Sequence, residues 1–221
     1  MRKGKFALLL HAHLPYVRHP EHDDFLEEDW FYEAIAETYV PLLALFERLV
    51  NDRAPARLTM SVTPPLCAMM EDPLLQERAA RHLERSVALA ESEVRRTAGD
   101  EGRNALARFY LGRFSAARDY FERRGRRLVP AFRELQDAGF LEIITCAATH
   151  GFLPLMADHP EAVRAQIMVA RDYHTRCFGR PPTGIWLPEC AYFPGVEKFL
   201  TEADIKWFVL DAHGLMFGKP Q

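Results

Sequence analysis

The stretch Gly184-Ile-Trp-Leu-Pro-Glu-Cys-Ala-Tyr192 is a short apolar run that ends in the carboxylate of Glu189. Its apolar residues predict a buried strand, and the buried strands of parallel sheets read as nearly continuous hydrophobic runs. In parallel barrels the catalytic groups lie at the carboxyl ends of the strands. The position of Glu189 therefore predicts an acid that acts on a substrate. The alternative is a carboxylate held in a structural ion pair.

Polar side chains also follow other apolar runs of the chain. His11-Ala-His13 closes the first run, and His150 follows the third. Side chains alternate along a strand, so His11 and His13 share one face. If the fourth strand stays regular through Pro188, Glu189 lies on the same face as the apolar residues two and four positions before it.

The fifth apolar run continues this pattern. A regular strand puts Asp211 and His213 on one face with Trp207 and Val209. Polar residues then follow four of the five runs, and the carboxyl ends of parallel strands open on one rim. The structural alternatives are a helix N-cap or turn role for Asp211 and hydrogen bonds from the histidines to loop carbonyls.

Five strand-like runs alternate with longer helical patterns. The runs cover residues 5–11, 57–62, 141–146, 183–187 and 206–210, and the helical patterns cover 31–50, 73–138, 161–178 and 195–203. This alternation predicts an α/β fold with a parallel sheet, closed or open. Pro41 is expected to kink the first helix. The block at about 73–138 is too long for a simple crossover, so we expect a helical insertion between strands 2 and 3.

Composition limits the classes of function. The 221 residues are 48% hydrophobic and carry a net charge of −3, with acids and bases interspersed. No basic patch predicts nucleic-acid binding, and no segment reaches the roughly 18 apolar residues of a membrane span. The apolar stretch near the amino terminus is too short for a signal peptide. Four cysteines without a CxxC pair predict reduced thiols in a soluble, cytoplasmic protein.

Two mechanisms fit these residues. In one, His11 and His13 bind a metal with help from His150, Asp211 or His213, as in metal-dependent amidohydrolases and deacetylases. In the other, Glu189 is a nucleophile and the histidines donate hydrogen bonds to sugar hydroxyls, as in retaining glycosidases. The HxH spacing suits both. A non-enzymatic protein that only binds carbohydrate is a third alternative.

Three ordered motifs carry a resemblance to glycoside hydrolase family 57. His11-Ala-His-Leu-Pro-Tyr-Val-Arg-His-Pro-Glu21 resembles the first signature of the family, in the form typical of its 1,4-α-glucan branching enzymes. Ala148-Thr-His-Gly-Phe-Leu-Pro154 resembles the second, and Gly184 to Tyr192 the third. Phe208-Val-Leu-Asp-Ala-His-Gly214 resembles the strand that follows. The match runs over essentially the whole chain.

The resemblance implies an incomplete (β/α)7 barrel of the TIM-like class and a retaining mechanism without metal or cofactor. Glu189 would attack an α-1,4-glucan, and a sugar 6-hydroxyl would then displace it to form an α-1,6 branch. Related α-amylase or 4-α-glucanotransferase activities differ in the acceptor. The resemblance assigns to substrate binding His11, His13, His150, Trp30, Trp186, Tyr192, Asp211 and His213.

Two family elements lie beyond the quoted motifs. The resemblance implies that the aspartate general acid and a carboxy-terminal helical region lie downstream, so that residues 1–221 form the amino-terminal part of the catalytic barrel. Because general acid–base catalysis contributes about 10²–10⁴-fold, we expect these residues alone to be nearly inactive. The expected partner is an α-1,4-glucan, and the sequence does not specify an oligomeric state.

Overall fold

The computed structural model describes Gly4 and residues 6–218, so Lys5, the predicted start of the first strand, lies outside the described residues. The chain divides into two compact units. Within the described residues, the first comprises Gly4 and residues 6–15, 55–68 and 133–218, and the second comprises residues 16–54 and 69–132. The fold is mixed α/β, mostly helical with small parallel sheets.

The described strands all belong to the first unit. They are β1 (Leu9–Ala12), β2 (Leu58–Val62), β3 (Leu141–Ile144), β4 (Gly184–Trp186) and β5 (Trp207–Val209). Strands β1, β2 and β3 pair in parallel in that order, and β4 pairs in parallel with β5. A parallel bridge between Thr145 and Ile185 links β3 to β4. The predicted parallel arrangement is therefore confirmed.

Helices occur in both units and make up most of the second. They are α1 (Leu26–Ala34), α2 (Val40–Asn51), α3 (Pro64–Glu71), α4 (Pro73–Arg96), α5 (Glu101–Arg123), α6 (Val129–Asp137), α7 (Pro160–Phe178), α8 (Val196–Glu202) and α9 (Ala212–Met216). The carboxylate of Asp72 caps α4 by accepting from the backbone N–H groups of Leu74 and Leu75 at 2.9 and 3.0 Å. Pro73 suits the first turn of that helix, where its missing N–H costs nothing. Gly179 ends α7 in the left-handed conformation at φ 77°.

A widened turn accommodates Pro41. The π-helical segment Ile35–Tyr39 joins α1 to α2 and directly precedes the first turn of α2, which contains the proline. Proline cannot donate to the preceding turn, and its ring clashes with the carbonyl four residues earlier. The helical run therefore continues from Leu26 to Asn51 through a π-type turn, and the kink expected at Pro41 stays a prediction.

The core that supports the site lies around β4 in the first unit. Its fully buried members include residues of α7, β4 and α8, and the cluster comprises Ala147, Leu153, Val163, Ile167, Ile185, Leu187, Val196, Leu200, Ala203 and Ile205. Gly184 lies opposite Trp207 in the β4–β5 register. A Cβ atom at Gly184 would lie 2.4 Å from the indole of Trp207, so this close approach requires glycine.

Two predicted strand extensions are wrong. Strand β4 ends at Trp186, and residues Pro188–Cys190 form a single 3₁₀ turn, so the regular alternation does not reach Glu189. Strand β5 ends at Val209, after which Asp211 occupies the N-cap position of α9. The structural alternative for Asp211 thus describes its backbone position, although its side chain makes no capping hydrogen bond.

Candidate active site

Strands β1 and β2 place two histidines against two hydroxyl groups. In the parallel register His11 lies opposite Ser61, and the His11 Nδ1 atom lies 3.1 Å from the Ser61 hydroxyl. Two residues further along, the His13 Nδ1 atom lies 3.1 Å from the Thr63 hydroxyl. Both hydroxyl residues are completely buried. The two-residue period of the strands therefore gives both imidazoles the same kind of anchor.

The third histidine comes from the turn after β3. His150 adopts a left-handed backbone with φ 56°, which is uncommon for a residue other than glycine. Its Nδ1 atom lies 3.1 Å from the thiol of Cys146, which is completely buried. Its side chain is only 10% exposed. A tight turn and a buried thiol thus fix this imidazole.

Four aromatic rings stack at this end of the strands. The ring of His13 lies face to face with that of His150, with centroids 3.5 Å apart and planes at 11°. The ring of His11 stacks on the indole of Trp186 at 4.4 Å and 15°. His11 and His13 are themselves stacked at 6.0 Å, which confirms that they share one face. The stack restricts the rotamers of all three imidazoles.

Glu189 reaches this cluster from a strained turn. Glu189 and Cys190 both have positive φ, at 56° and 52°, in two consecutive residues without glycine. Such conformations cost about 1–3 kcal/mol each and persist where the surrounding structure imposes them. The Glu189 Oε1 atom lies 3.5 Å from the Nε2 atom of His150, and 72% of the Glu189 side chain is exposed. The turn thus presents an accessible carboxylate beside the histidines.

The same carboxylate lines a cleft of about 570 Å³ in the first unit. Residues of the turns after β4 and β5 share this cleft with Phe152, and they include Cys190, Tyr192, Leu210, Asp211 and His213. The ring of Tyr192 stacks nearly parallel to Phe208 at 5.9 Å, and its hydroxyl donates to Glu197 at 3.3 Å. A cleft with two carboxylates, aromatic faces and other polar groups suits a polyhydroxylated ligand.

Electrostatics keep the imidazoles neutral. Burial lowers the pKa of His11 to about 4, and the nearby His150 adds to this effect while Glu189 opposes it. Burial likewise lowers the pKa of His13 to about 4, with further contributions from His150 and His11. Burial also lowers the pKa of His150, against the raising effect of Glu189. At neutral pH the three rings are therefore uncharged hydrogen-bonding groups.

The cluster does not have the geometry of a metal centre. Among the described residues, no three histidine, cysteine, aspartate or glutamate side chains are arranged to hold a metal ion. The rings of His13 and His150 lie nearly parallel with centroids 3.5 Å apart, whereas the ligands of a tetrahedral zinc converge on one point. Nor is any helix within residues 6–218 both long and apolar enough to cross a membrane.

Comparison with known families supports a glycosidase scaffold. The model of the family described as glycosyl hydrolase family 57 matches residues 7–220. The chain belongs to glycosyl hydrolase family 57. The family assignment suggested by the three motifs is therefore confirmed.

Relatives of this family 57 chain include enzymes of two named activities. The sequence is 37% identical over 225 residues to a 1,4-α-glucan branching enzyme of Thermococcus kodakarensis, covering 95% of this chain and 33% of the relative. An α-amylase structure from Thermotoga maritima aligns with a TM-score of 0.94 and 42% identity, covering 99% of this chain and 42% of that one. The branching-enzyme structure from Thermococcus kodakaraensis gives 0.84 and 36%, covering 91% and 38%. The chain thus spans about a third to two-fifths of these relatives.

The structure brings most of the predicted site residues of the family 57 chain together. His11, His13, His150 and Trp186 form the ring cluster, and Glu189 contacts it. Tyr192, Asp211 and His213 share the cleft with Glu189. Trp30 belongs to the second unit, where it lies on α1 with a relative exposure of 49%. Its assignment as a platform for a sugar ring stays a prediction.

Sequence interpretation missed three residues of this cluster. Ser61, Thr63 and Cys146 carry the groups that contact the histidine Nδ1 atoms. A signal for two of them was present, because Ser61 and Thr63 are polar residues at a two-residue spacing, which matches the spacing of the HxH motif. Strand β2 therefore contributes polar groups as well, so that all five strands, where four were predicted, lead into the site.

Proposed function

We propose that this chain is the amino-terminal part of a catalytic domain that acts as a 1,4-α-glucan branching enzyme. The observation that carries the proposal is the convergence of His11, His13, His150 and Glu189 at the ends of parallel strands, in a chain of family 57. Among the activities of α-glucan enzymes, branching is favoured because the 37% identical relative is named a 1,4-α-glucan branching enzyme.

The proposed architecture is an incomplete (β/α)7 barrel. The parallel order of β1–β2–β3 and β4–β5, with the bridge between β3 and β4, supports strands that follow one another around such a barrel. Helices α4, α5 and α6 lie between β2 and β3 in the chain, which supports a helical insertion at about residues 73–138. We assign residues 1–221 to this part of the barrel.

In the proposed mechanism Glu189 is the nucleophile. Its exposed carboxylate attacks the anomeric carbon of an α-1,4-glucan, the glycosidic bond to the leaving chain breaks, and a glycosyl ester forms on Glu189. The leaving oxygen takes a proton from a second carboxyl group, which retaining enzymes hold about 5–5.5 Å from the nucleophile. The 6-hydroxyl of an acceptor glucan then attacks the same carbon, its proton passes to the second carboxyl group, now a carboxylate, and the Glu189 carboxylate is released.

The neutral imidazoles would bind the donor sugar. His11, His13 and His150 can donate or accept hydrogen bonds with hydroxyl groups without introducing a positive charge, because their pKa values are lowered by burial. Tyr192 offers an aromatic face in the cleft, and Asp211 and His213 add polar groups there. We extend the proposal to a cytoplasmic location because the sequence has four cysteines without a CxxC pair, which is typical of reduced thiols.

Hydrolysis by an α-amylase is the second candidate. The 42% identity and TM-score of 0.94 with the Thermotoga maritima α-amylase favour it specifically. The two activities share the glycosyl ester and differ in whether a sugar hydroxyl or water accepts the glycosyl group. Their products therefore distinguish them, since branching adds α-1,6 linkages without a net gain of reducing ends.

The experiment compares Glu189→Gln with wild type in the protein expressed from the complete open reading frame. Amylose is the substrate, and α-1,6 linkages and reducing ends are counted separately. An amide cannot form the ester, so we expect Glu189→Gln to lose more than about 10³-fold of either activity. Glu202→Gln is the matched control, because Glu202 is an exposed carboxylate on α8 that pairs with Arg164.

Each outcome has a clear interpretation. Wild-type activity in Glu189→Gln would remove Glu189 from the mechanism. New reducing ends without α-1,6 linkages in the wild-type protein would favour the amylase alternative. Activity that depends on stoichiometric zinc would instead support the metal-dependent hydrolase considered from the sequence, and glucan binding without any turnover would support a carbohydrate-binding protein.

A further inference from the structure

Each histidine of the cluster has its Nδ1 atom against a buried group of a neighbouring strand or turn. The partners are the hydroxyls of Ser61 and Thr63 and the thiol of Cys146, each at 3.1 Å and each on a completely buried residue. The three contacts share the same ring nitrogen. The direction of the hydrogen bond at Nδ1 therefore decides which nitrogen of each imidazole carries the proton.

The direction of these hydrogen bonds follows from the needs of the buried donors. Within residues 6–218, the Ser61 and Thr63 hydroxyls each have the histidine nitrogen as their one hydrogen-bond partner. A buried hydroxyl proton without an acceptor is costly, whereas donation to the Nδ1 lone pair satisfies it. The Cys146 group is a thiol at neutral pH, because burial raises its pKa to about 12, so it too is a donor. A nitrogen that accepts carries no proton.

We propose that Ser61, Thr63 and Cys146 are positioning residues that hold His11, His13 and His150 as neutral Nε2–H tautomers. The tautomer assignment stands on these contacts and on the burial of the three donors, whereas its catalytic consequence rests on the proposed function. With this tautomer the Nε2–H group of His150, which lies 3.5 Å from the Glu189 carboxylate, is the donor in that contact. The other two rings keep an Nε2–H donor for sugar oxygens.

Nitrogen NMR of the complete protein tests the tautomers directly. The protein is labelled with ¹⁵N in its histidine rings, and long-range ¹H–¹⁵N correlations at pH 7 distinguish protonated from unprotonated ring nitrogens. Loss of one set of signals in each of His11→Gln, His13→Gln and His150→Gln assigns the rings. We expect the proton on Nε2 in all three. A wild-type spectrum with the proton on Nδ1 in any of them overturns the proposal.

Variants that remove a donor complete the test. Ser61→Ala, the nearly isosteric Thr63→Val and Cys146→Ala each remove a single donor. We expect the Nδ1 signal of the affected ring to shift as both tautomers become populated. Thr63→Ser and Cys146→Ser keep a donor and are expected to restore the wild-type signals. Thr59→Val is the control, since Thr59 lies two residues before Ser61 on β2 and contacts Glu142 rather than a histidine.

Activity is a separate readout. We expect Thr63→Val to lower kcat/KM on amylose about tenfold, and Thr63→Ser to recover most of the loss. Unchanged nitrogen signals in Ser61→Ala and Thr63→Val overturn the proposal even if activity falls. The wild-type tautomers together with the expected shifts, in a protein without activity on α-glucans, would sustain the positioning role and overturn only the proposed function.

Discussion

Replacing Arg78 with methionine should strongly destabilise the second unit, because it leaves a buried carboxylate without its counter-ion. Glu28 is completely buried, and the Arg78 Nη1 atom donates to its two oxygens at 2.8 and 2.6 Å. The same carboxylate accepts from the backbone N–H of His19 at 2.7 Å and from the hydroxyl of Tyr32. Arg78 also donates to the carbonyls of His19 and His22, so it fixes the segment that follows the HxH motif.

The size of the expected loss of stability follows from the burial of Arg78 and Glu28. Their side chains are 6% and 1% exposed, and removing one partner of such a pair costs about 3–5 kcal/mol. Arg85→Met is the control, because Arg85 pairs with Asp24 at 3.2 Å while both side chains are more than half exposed. Exposed pairs contribute about 0–1 kcal/mol. Urea unfolding of the complete protein, followed by circular dichroism, measures both variants.

The pH dependence of the unfolding free energy gives a second, independent test of the Glu28–Arg78 pair. Burial raises the pKa of Glu28, but the hydrogen bonds from Tyr32, His19 and Arg78 outweigh it and lower the pKa below 4.5. The stabilisation from Glu28 is therefore present above pH 4.5 and is lost as the pH falls through the lower, folded-state value. Without Arg78 less opposes the raising effect of burial on the Glu28 pKa. The Arg78→Met variant should therefore lose less stability than wild type as the pH falls.

Two outcomes would refute this reasoning. An Arg78→Met variant that unfolds within about 1 kcal/mol of wild type, as Arg85→Met should, would mean that the buried pair contributes no more than an exposed one. A steeper acid destabilisation in Arg78→Met than in wild type would contradict the assigned causes of the Glu28 shift. The double variant Glu28→Met/Arg78→Met should recover part of the loss, because no charge is then left buried.

Three further predictions concern the core and the strained turn. His174 is buried, neither ring nitrogen has a hydrogen-bond partner among the described residues, and burial lowers its pKa to about 3. The unfolded state therefore takes up the proton first as the pH falls below 6.5, so wild type should lose up to about 1.4 kcal/mol per pH unit between pH 6.5 and about 3, and His174→Phe should reduce this slope in acid unfolding curves. Gly184→Ala should destabilise the fold by about 1–3 kcal/mol because its Cβ meets Trp207, and thermal unfolding measures the loss. Cys190→Gly should relieve the strain of its φ of 52° while lowering kcat, whereas Arg53→Gly, at the same φ, should leave kcat unchanged in the amylose assay.

The strands were predictable because their signal is local. Apolar runs bounded by turn residues give each strand, and the positions after them give the histidines and Glu189. The ends of β4 and β5 were not predictable from alternation, which assumes a regular strand. Two consecutive left-handed residues at Glu189 and Cys190 end the alternation, and nothing in their residue types requires that conformation.

Other features depend on contacts between distant segments. Ser61 and Thr63 were missed because each lies 50 residues from its histidine, and only the β1–β2 register shows the pairing. Helix α3 lies outside the predicted helical patterns, because Pro64 and Pro65 at its start also suit the end of a strand. Proline is equally suited to the first turn of a helix, where no backbone N–H is needed. Two consecutive prolines therefore fit the end of a strand and the start of a helix equally well.

The histidines and Glu189 are held in place in different ways. Each imidazole is fixed by a buried donor and by stacking. Among the described residues, the Glu189 carboxylate has the His150 imidazole, at 3.5 Å, as its one ion-pair or hydrogen-bond partner. Hydrogen bonds to a carboxylate stabilise its charge and lower its pKa, and a carboxylate held by several donors is a weaker nucleophile. A strained turn instead orients Glu189 through its backbone, at φ 56°, without covering its oxygens. The backbone thus provides the precision that side-chain hydrogen bonds provide for the histidines, and the carboxylate stays free to bond to carbon.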